Sequence, residues 1–316
     1  MFFDLFNGDA DGIFALHQYR LSFPASSTLI TGVKRDICLL QQLAGTQNAE
    51  ITVFDVSLDS NRKEIEPLLA RRNCIRWFDH HFAGEIPAHA GLHTTIDPSP
   101  TTCTSLIVNT TLGESHSGWA ICGACGDNLY EAAGHLASKR GFSTKELNQL
   151  AELGKLFNYN GYGVTTDDLH FHPKELYRAV APFDDPLAFI AQSEELAVLR
   201  DGCAEDLQYA TEGELQKIGH HSLYFFPDAP WARRISGIYS NLKARQEPDA
   251  AHVIITRVGD NLRLSVRAPL NDRRGADTLC RAFTTGGGRA AAAGINELPP
   301  EELSRFIDAF SQTWPS

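Results

Sequence analysis

A chain of 316 residues, 43% hydrophobic and 21% charged, can bury a sizeable core, as one large domain or two smaller ones. No run of about 18 apolar residues occurs, which excludes a spanning helix, and the short apolar start Met1–Phe6 lacks the basic flank of an export signal. The net charge of −11 is uneven: residues 1–221 carry 16 basic against 29 acidic side chains, residues 222–316 carry 12 against 10. An acidic N-terminal part argues against general affinity for long polyphosphate backbones and suits a metal site built from carboxylates. Seven scattered cysteines without an export signal are expected to be reduced thiols in a cytoplasmic protein.

Residues 2–6 read as a strand, Asn7-Gly8-Asp9-Ala10-Asp11-Gly12 as a tight loop, and Ile13–Leu21 as the start of a helix. Two aspartates two apart in a glycine-bounded strand-to-helix loop can aim both carboxylates at one point; a plain turn with an aspartate N-cap is the competing reading. A short strand at Thr28–Ile30, a helix around Asp36–Leu43 and an apolar strand ending in Asp55 come next. A helix over Asn61–Arg72 follows, in which Pro67 implies a kink or break. The apolar run Cys74–Phe78 then delivers Asp79, His80 and His81 to what should be the carboxyl edge of a sheet, where ligands bind in open α/β folds. Imidazole beside carboxylate suits a divalent metal and acid–base chemistry. Strands alternating with helices predict right-handed crossovers and a parallel sheet.

Thr101–Leu112 reads as a helix, and Ala120–Asn128 as a run of small residues that reaches Asp127 and allows close packing beneath a site. The pair Cys122 and Cys125 has zinc or redox spacing but no partner pair, so buried thiols are the better reading. Residues 129–200 read as mainly helical, interrupted at Asn158–Gly163 and at Asp167–Pro173, where His170 and His172 are expected to cap or line a cleft. Glu205–Gly219 reads as a connecting helix or hinge, and His220-His221 as linker residues. Beyond it are expected strand Ser222–Phe226, helix Trp231–Ala244, a hairpin of Ala251–Arg257 and Asn261–Ala268 turning at Gly259, helix Arg274–Phe283 and a closing helix Pro300–Trp314. Between the last two lies Gly286-Gly287-Gly288-Arg289. With Arg267 on the neighbouring hairpin it reads as a phosphate clamp, or alternatively as a flexible turn.

The order Asp9-x-Asp11-Gly12, Asp55 after a strand, Asp79-His80-His81, then Asp127 resembles the four-motif N-terminal domain of the DHH phosphoesterase superfamily. Ser265-Val266-Arg267-Ala268 followed by Gly286-Gly287-Gly288-Arg289 resembles its associated C-terminal domain. The resemblance covers about residues 2–140 and 222–298. It implies an N-terminal parallel-sheet α/β lobe and a smaller C-terminal α/β lobe with a mixed sheet, the active site lying in the cleft between them. The corresponding divisions are 1–204 (with a helical insert at about 129–200), a linker at 205–221, and 222–316.

The resemblance further implies two divalent cations, manganese or else magnesium, on Asp9, Asp11, Asp55, His80 and Asp127, with Asp55 bridging. Asp79 would orient the site, His81 face the scissile phosphate, and Arg267, Gly286, Gly287, Gly288 and Arg289 hold the substrate. The implied reaction is in-line attack of hydroxide on a small nucleotide or short oligonucleotide, with no membrane partner and no long nucleic acid; a homodimer is compatible with it. A single-strand-specific exonuclease and a catalytically weak nucleotide-binding sensor are the alternatives. Two positions depart from the family pattern. Leu5 stands where many members have His, with Asn7 a candidate to complete the first metal position, and Arg289 stands where the glycine tract usually ends in His.

Overall fold

A computed structural model describes residues 1–315, which fall into two compact units, residues 1–201 and 202–315. In the first unit, β1 (Phe2–Phe6) leads into α1 (Ala10–Ser22), followed by β2 (Thr28–Ile30), β3 (Glu50–Phe54), α2 (Arg62–Ala70), β4 (Cys74–Asp79) and β5 (Leu92–Ile96). All pairings are parallel and the strand order is β2-β1-β3-β4-β5. The chain leaves β1 towards one edge and returns through β3 on the other side. The β1/β3 boundary is therefore the topological switch point, where the carboxyl ends of strands open a crevice.

Alternation along the strands builds the two faces. Leu5, Val53 and Trp77 align in register and pack, fully buried, with Ile65, Leu68 and Leu69 of α2. Phe6, Phe54 and Phe78 form the opposite row, and Tyr19 of α1 lies against the last two. Leu5 is thus a core residue in the interior of its strand.

The helices of this unit are α3 (Thr104–Thr111), α4 (Ser117–Gly126), α5 (Tyr130–Arg140), α6 (Thr144–Gly161), α7 (Pro173–Val180), α8 (Pro186–Gln192) and α9 (Glu194–Thr211), the last running across the boundary between units. Every residue of α4 is buried, the mark of a helix surrounded by others. Its small residues are a packing requirement. A Cβ on Gly123 would lie 2.2 Å from Ser105 Oγ, and one on Gly126 would lie 2.5 Å from Ala10 Cβ. One on Gly154 of α6 would meet the Cys122 carbonyl at 2.0 Å.

Several elements differ from the sequence reading. Asp36–Leu43 contributes only a 3-10 turn, Leu40–Leu43, because Leu39, Leu40 and Leu43 reach the core without a full helix and Asp36 is spent accepting the Val33 N–H at 2.9 Å. Strand β5 carries no strong apolar signal, being His-Thr-Thr at its centre. Asn158–Gly161 form the last turn of α6 rather than an interruption.

The second unit has a sheet ordered β10-β11-β9-β8-β7-β6. Its strands are β6 (Glu214–Ile218), β7 (His221–Phe226), β8 (His252–Val258), β9 (Asn261–Arg267), β10 (Gly286–Arg289) and β11 (Ala292–Leu298). Only β7 and β8 pair in parallel. The remaining helices are α10 (Pro230–Gln246), α11 (Ala276–Arg281) and α12 (Leu303–Thr313). Leu223, Val253, Ile255, Leu264, Val266 and Ile295 form one face and pack with Phe306 and Phe310 of α12. The polar stretch expected to link domains forms the end of α9 and the edge strand β6, whose polarity suits an edge open to solvent. Among the described residues no helix is long and apolar enough to cross a membrane.

Candidate metal centre

Asp9 ends the β1 loop as the N-cap of α1; its Oδ1 accepts the N–H groups of Asp11 (3.1 Å) and Gly12 (3.2 Å). The helix begins earlier than the sequence suggests, so Asp11 stands in its first turn. Both Asp11 oxygens accept backbone N–H groups at the start of α3, Thr104 and Ser105, each at 2.7 Å. That helix terminus offsets part of the Asp11 charge. Asp55 follows β3 with φ at 57°, a left-handed conformation that aspartate tolerates better than most residues. Its Oδ1 accepts the Thr104 hydroxyl at 3.1 Å. Asp79 is the last residue of β4, fully buried; Oδ1 accepts the His80 N–H at 2.8 Å and His81 Nδ1 at 2.7 Å, fixing both imidazole-bearing residues.

These elements bring Asp11, His80 and Asp127 into one group, and Asp55, His80 and His81 into another, with ligand atoms in each group within 4.8 Å of one another. His80 Nε2 lies 3.3 Å from Asp55 Oδ1 and 3.4 Å from Asp127 Oδ2. Asp127 is the C-cap of α4, where the helix dipole disfavours a carboxylate. The side chain of His81 is 42% exposed, so with Nδ1 on Asp79 its ring still meets solvent. Asn7 lies beside the centre with Oδ1 buried and unpaired while its amide donates to the Lys34 carbonyl at 3.2 Å.

Crowded carboxylates shape the electrostatics. Burial, then the charges of Asp11 and Asp9, push Asp55 well above the usual carboxylate range. Asp127 is raised for the same reasons, burial first, against the lowering effect of Lys34. Burial would make His80 less basic, but its hydrogen bond to Asp55 and the charges of Asp55, Asp11 and Asp127 hold it protonated, up to about 10. Such a centre favours cations. Its carboxylates and the buried His80 imidazole, with an unpaired amide oxygen close by, fit a hard divalent ion such as manganese or magnesium.

Sequence reasoning missed Lys34, Thr104, Ser105 and Asn158. Lys34 Nζ lies 2.5 Å from Asp9 Oδ2, 3.3 Å from Asp127 Oδ1 and 2.9 Å from Asn158 Oδ1. The readable signals were slight: Gly32 just past a strand, and a Thr-Ser pair opening an apolar helix. The secondary motifs have structural roles. Cys122 and Cys125 are buried in α4, and burial raises both thiols. Asp168 accepts the Val164 N–H at 2.7 Å, His170 pairs with the Tyr159 hydroxyl at 2.8 Å, and His172 caps α7. His221, expected in a linker, opens β7 and accepts the Ala251 N–H at 3.0 Å.

In the second unit the glycine tract is strand rather than loop. Arg289 pairs with Ala292 and Ala292 with Arg267, which sets both arginines on one row with only a methyl group between them. Arg267 is anchored by Asn241 Oδ1 at 2.8 Å and Ser265 Oγ at 3.1 Å. Arg289 is exposed. Gly286 is required by packing, since a Cβ would lie 1.7 Å from the Cys280 carbonyl, and Gly288 by its φ of 139°. Gly287 has open space where a Cβ would stand. No fold constraint explains it, and its absent side chain leaves the backbone approachable.

The fold has solved counterparts. A manganese-bound exonuclease RecJ matches at a TM-score of 0.59 and 15% identity, over 100% of this chain and 90% of that one. A pGpG-specific phosphodiesterase, PggH from Vibrio cholerae, matches at 0.55 and 15%, over 98% of both chains. An exopolyphosphatase-related protein from Bacteroides fragilis matches at 0.51 and 13%, over 99% of this chain and 90% of that one. At such identities the likeness is one of fold. No protein-family model and no curated protein sequence matches the chain.

Proposed function

We propose that this protein is a divalent-cation-dependent phosphoesterase that hydrolyses a small nucleotide or short oligonucleotide. One observation carries the reading. Asp11, Asp55, His80 and Asp127 converge at the switch point of a parallel sheet, on a fold shared with a manganese-bound exonuclease. Those four residues would hold the cation. When bound, a divalent ion supplies Lewis acidity and lowers the pKa of coordinated water, the usual basis of phosphoester hydrolysis at neutral pH.

The protein's own residues do the rest. Asp79 locks the His80 backbone and the His81 ring, so that Nε2 of His81 can hydrogen-bond a phosphoryl or leaving-group oxygen. Thr104 holds the Asp55 carboxylate in orientation. Arg267 and Arg289, with the open backbone at Gly287, would hold a phosphate of the substrate, since guanidinium binds phosphate in bidentate fashion. Manganese is the favoured metal, magnesium the alternative. The near-complete mutual coverage with a pGpG-specific phosphodiesterase and the acidic charge of residues 1–221 support a short substrate. The RecJ likeness favours a second reading, an exonuclease acting on short single-stranded ends.

A hydrolysis panel in manganese tests this. It sets linear dinucleotides, cyclic dinucleotides, 3′,5′-bisphosphorylated adenosine, pyrophosphate and single-stranded oligonucleotides side by side. Cleavage of a dinucleotide above the rest is expected, and Asp55→Ala should abolish it with the fold intact. Preference for longer strands would favour the exonuclease. A fully active Asp55→Ala would sink both.

A further inference from the structure

Lys34 holds a place in the acidic centre that a surface lysine would not. Its ammonium contacts three oxygens from three elements: Asp9 Oδ2 at 2.5 Å, Asn158 Oδ1 at 2.9 Å and Asp127 Oδ1 at 3.3 Å. The residue is fastened on every side. Its N–H donates to the Gly161 carbonyl at 2.9 Å, its carbonyl accepts the Asn7 amide at 3.2 Å, and the ammonium sits 5.5 Å from the Tyr162 ring centroid. Gly161 lets this corner close, since a Cβ there would lie 3.0 Å from Asp9 Cβ.

This arrangement divides the centre. At one end two groups of side chains at ligand distance share His80, one with Asp11 and Asp127 and the other with Asp55 and His81, and Asp9 is in neither. At the other end both Asp9 oxygens already have partners, Oδ1 the two N–H groups of α1 and Oδ2 the Lys34 ammonium. A divalent ion on Asp9 would stand beside that ammonium, with like charges sharing one carboxylate.

We infer that Lys34 is a built-in cation that takes the place of one divalent ion, so that the centre binds a single metal at the Asp11, Asp55, His80 and Asp127 end. This rests on the phosphoesterase reading only in taking the centre to be a metal site. An ammonium cannot be chelated or exchanged. It would make half of the centre independent of metal supply, while still neutralising the Asp9 carboxylate and drawing a phosphate towards the other half.

The test is metal stoichiometry, read by manganese titration calorimetry and by manganese electron paramagnetic resonance, on the full chain and without substrate. The wild-type protein should bind one Mn2+ per chain and show the spectrum of an isolated ion. Lys34→Met, which keeps the aliphatic stem, should bind two and show a spin-coupled pair, while Lys34→Arg should stay at one. Circular dichroism checks that each variant is folded, and the wild-type count stands without them. Two Mn2+ on wild-type protein, lost with Asp55→Asn, would overturn the lysine proposal and leave the metal-dependent reading standing. So would one Mn2+ on folded Lys34→Met. No Mn2+ bound by any form would overturn both.

Discussion

The acidic centre and the glycine hairpin are built on opposite plans. The centre gathers side chains scattered from Asp9 to Asp127, and almost every charge in it is held by a backbone donor or a counter-ion. The hairpin takes Arg289, Gly287 and Arg267 from adjoining strands, and little of the fold depends on Arg289 or Gly287. A distributed, buried centre couples chemistry to stability, whereas a local, open one separates them. Substitutions should therefore move activity and unfolding together in the first region and apart in the second.

The largest effect should come from Asp11→Ala. It strands the N–H groups of Thr104 and Ser105 at the start of α3, costing about 1–2 kcal/mol, and removes a carboxylate proposed to hold the cation, which should lower hydrolysis by at least about 100-fold. Thermal unfolding and turnover measured on the same preparation check the coupling; loss of one without the other would break it.

A second effect lies outside both regions. His17 is buried, hydrogen-bonded through Nε2 to the Phe183 carbonyl at 2.8 Å, and burial depresses it from 6.5 to about 4. Because the folded form resists protonation, its contribution is complete above about pH 6.5. It falls between there and about pH 4, as the unfolded chain takes up the proton first, by up to about 3 kcal/mol. Urea midpoints across that range should fall more steeply for wild type than for His17→Gln.

Within the hairpin, Arg267→Ala should raise KM about tenfold with kcat changed less than about threefold, the pattern of lost ground-state binding. Arg289→Ala should raise KM by only about two- to threefold and leave the unfolding midpoint where it was, since the side chain is exposed. If Arg289 instead proved the stronger of the two, the anchored and the open arginine would have to exchange roles.

Much of the first unit was legible because its signals are periodic or abrupt: apolar strands that stop in Asp55 and in Asp79-His80-His81 announce a sheet edge. Strand β5 was not, since His93, Thr94 and Thr95 carry little hydrophobic contrast and pairing with β4 decides their state. The glycine tract, read as a phosphate clamp or a flexible turn, gave no strand signal because glycine is a poor strand former, yet pairing along β11 extends it. Lys34 was invisible for a different reason. Its meaning lies in partners up to 124 positions away in the chain, Asn158 among them, which only the packing of α6 against the β1 loop brings together.

The account turns on whether the acidic centre performs metal-dependent cleavage. The most direct measurement is hydrolysis of a linear dinucleotide by the wild-type protein in manganese, in manganese followed by excess chelator, and by Asp55→Asn in manganese. Conversion to mononucleotides that stops on chelation and is absent from Asp55→Asn is the predicted result. Tight dinucleotide binding with no turnover in manganese or magnesium would contradict it and make the protein a nucleotide sensor.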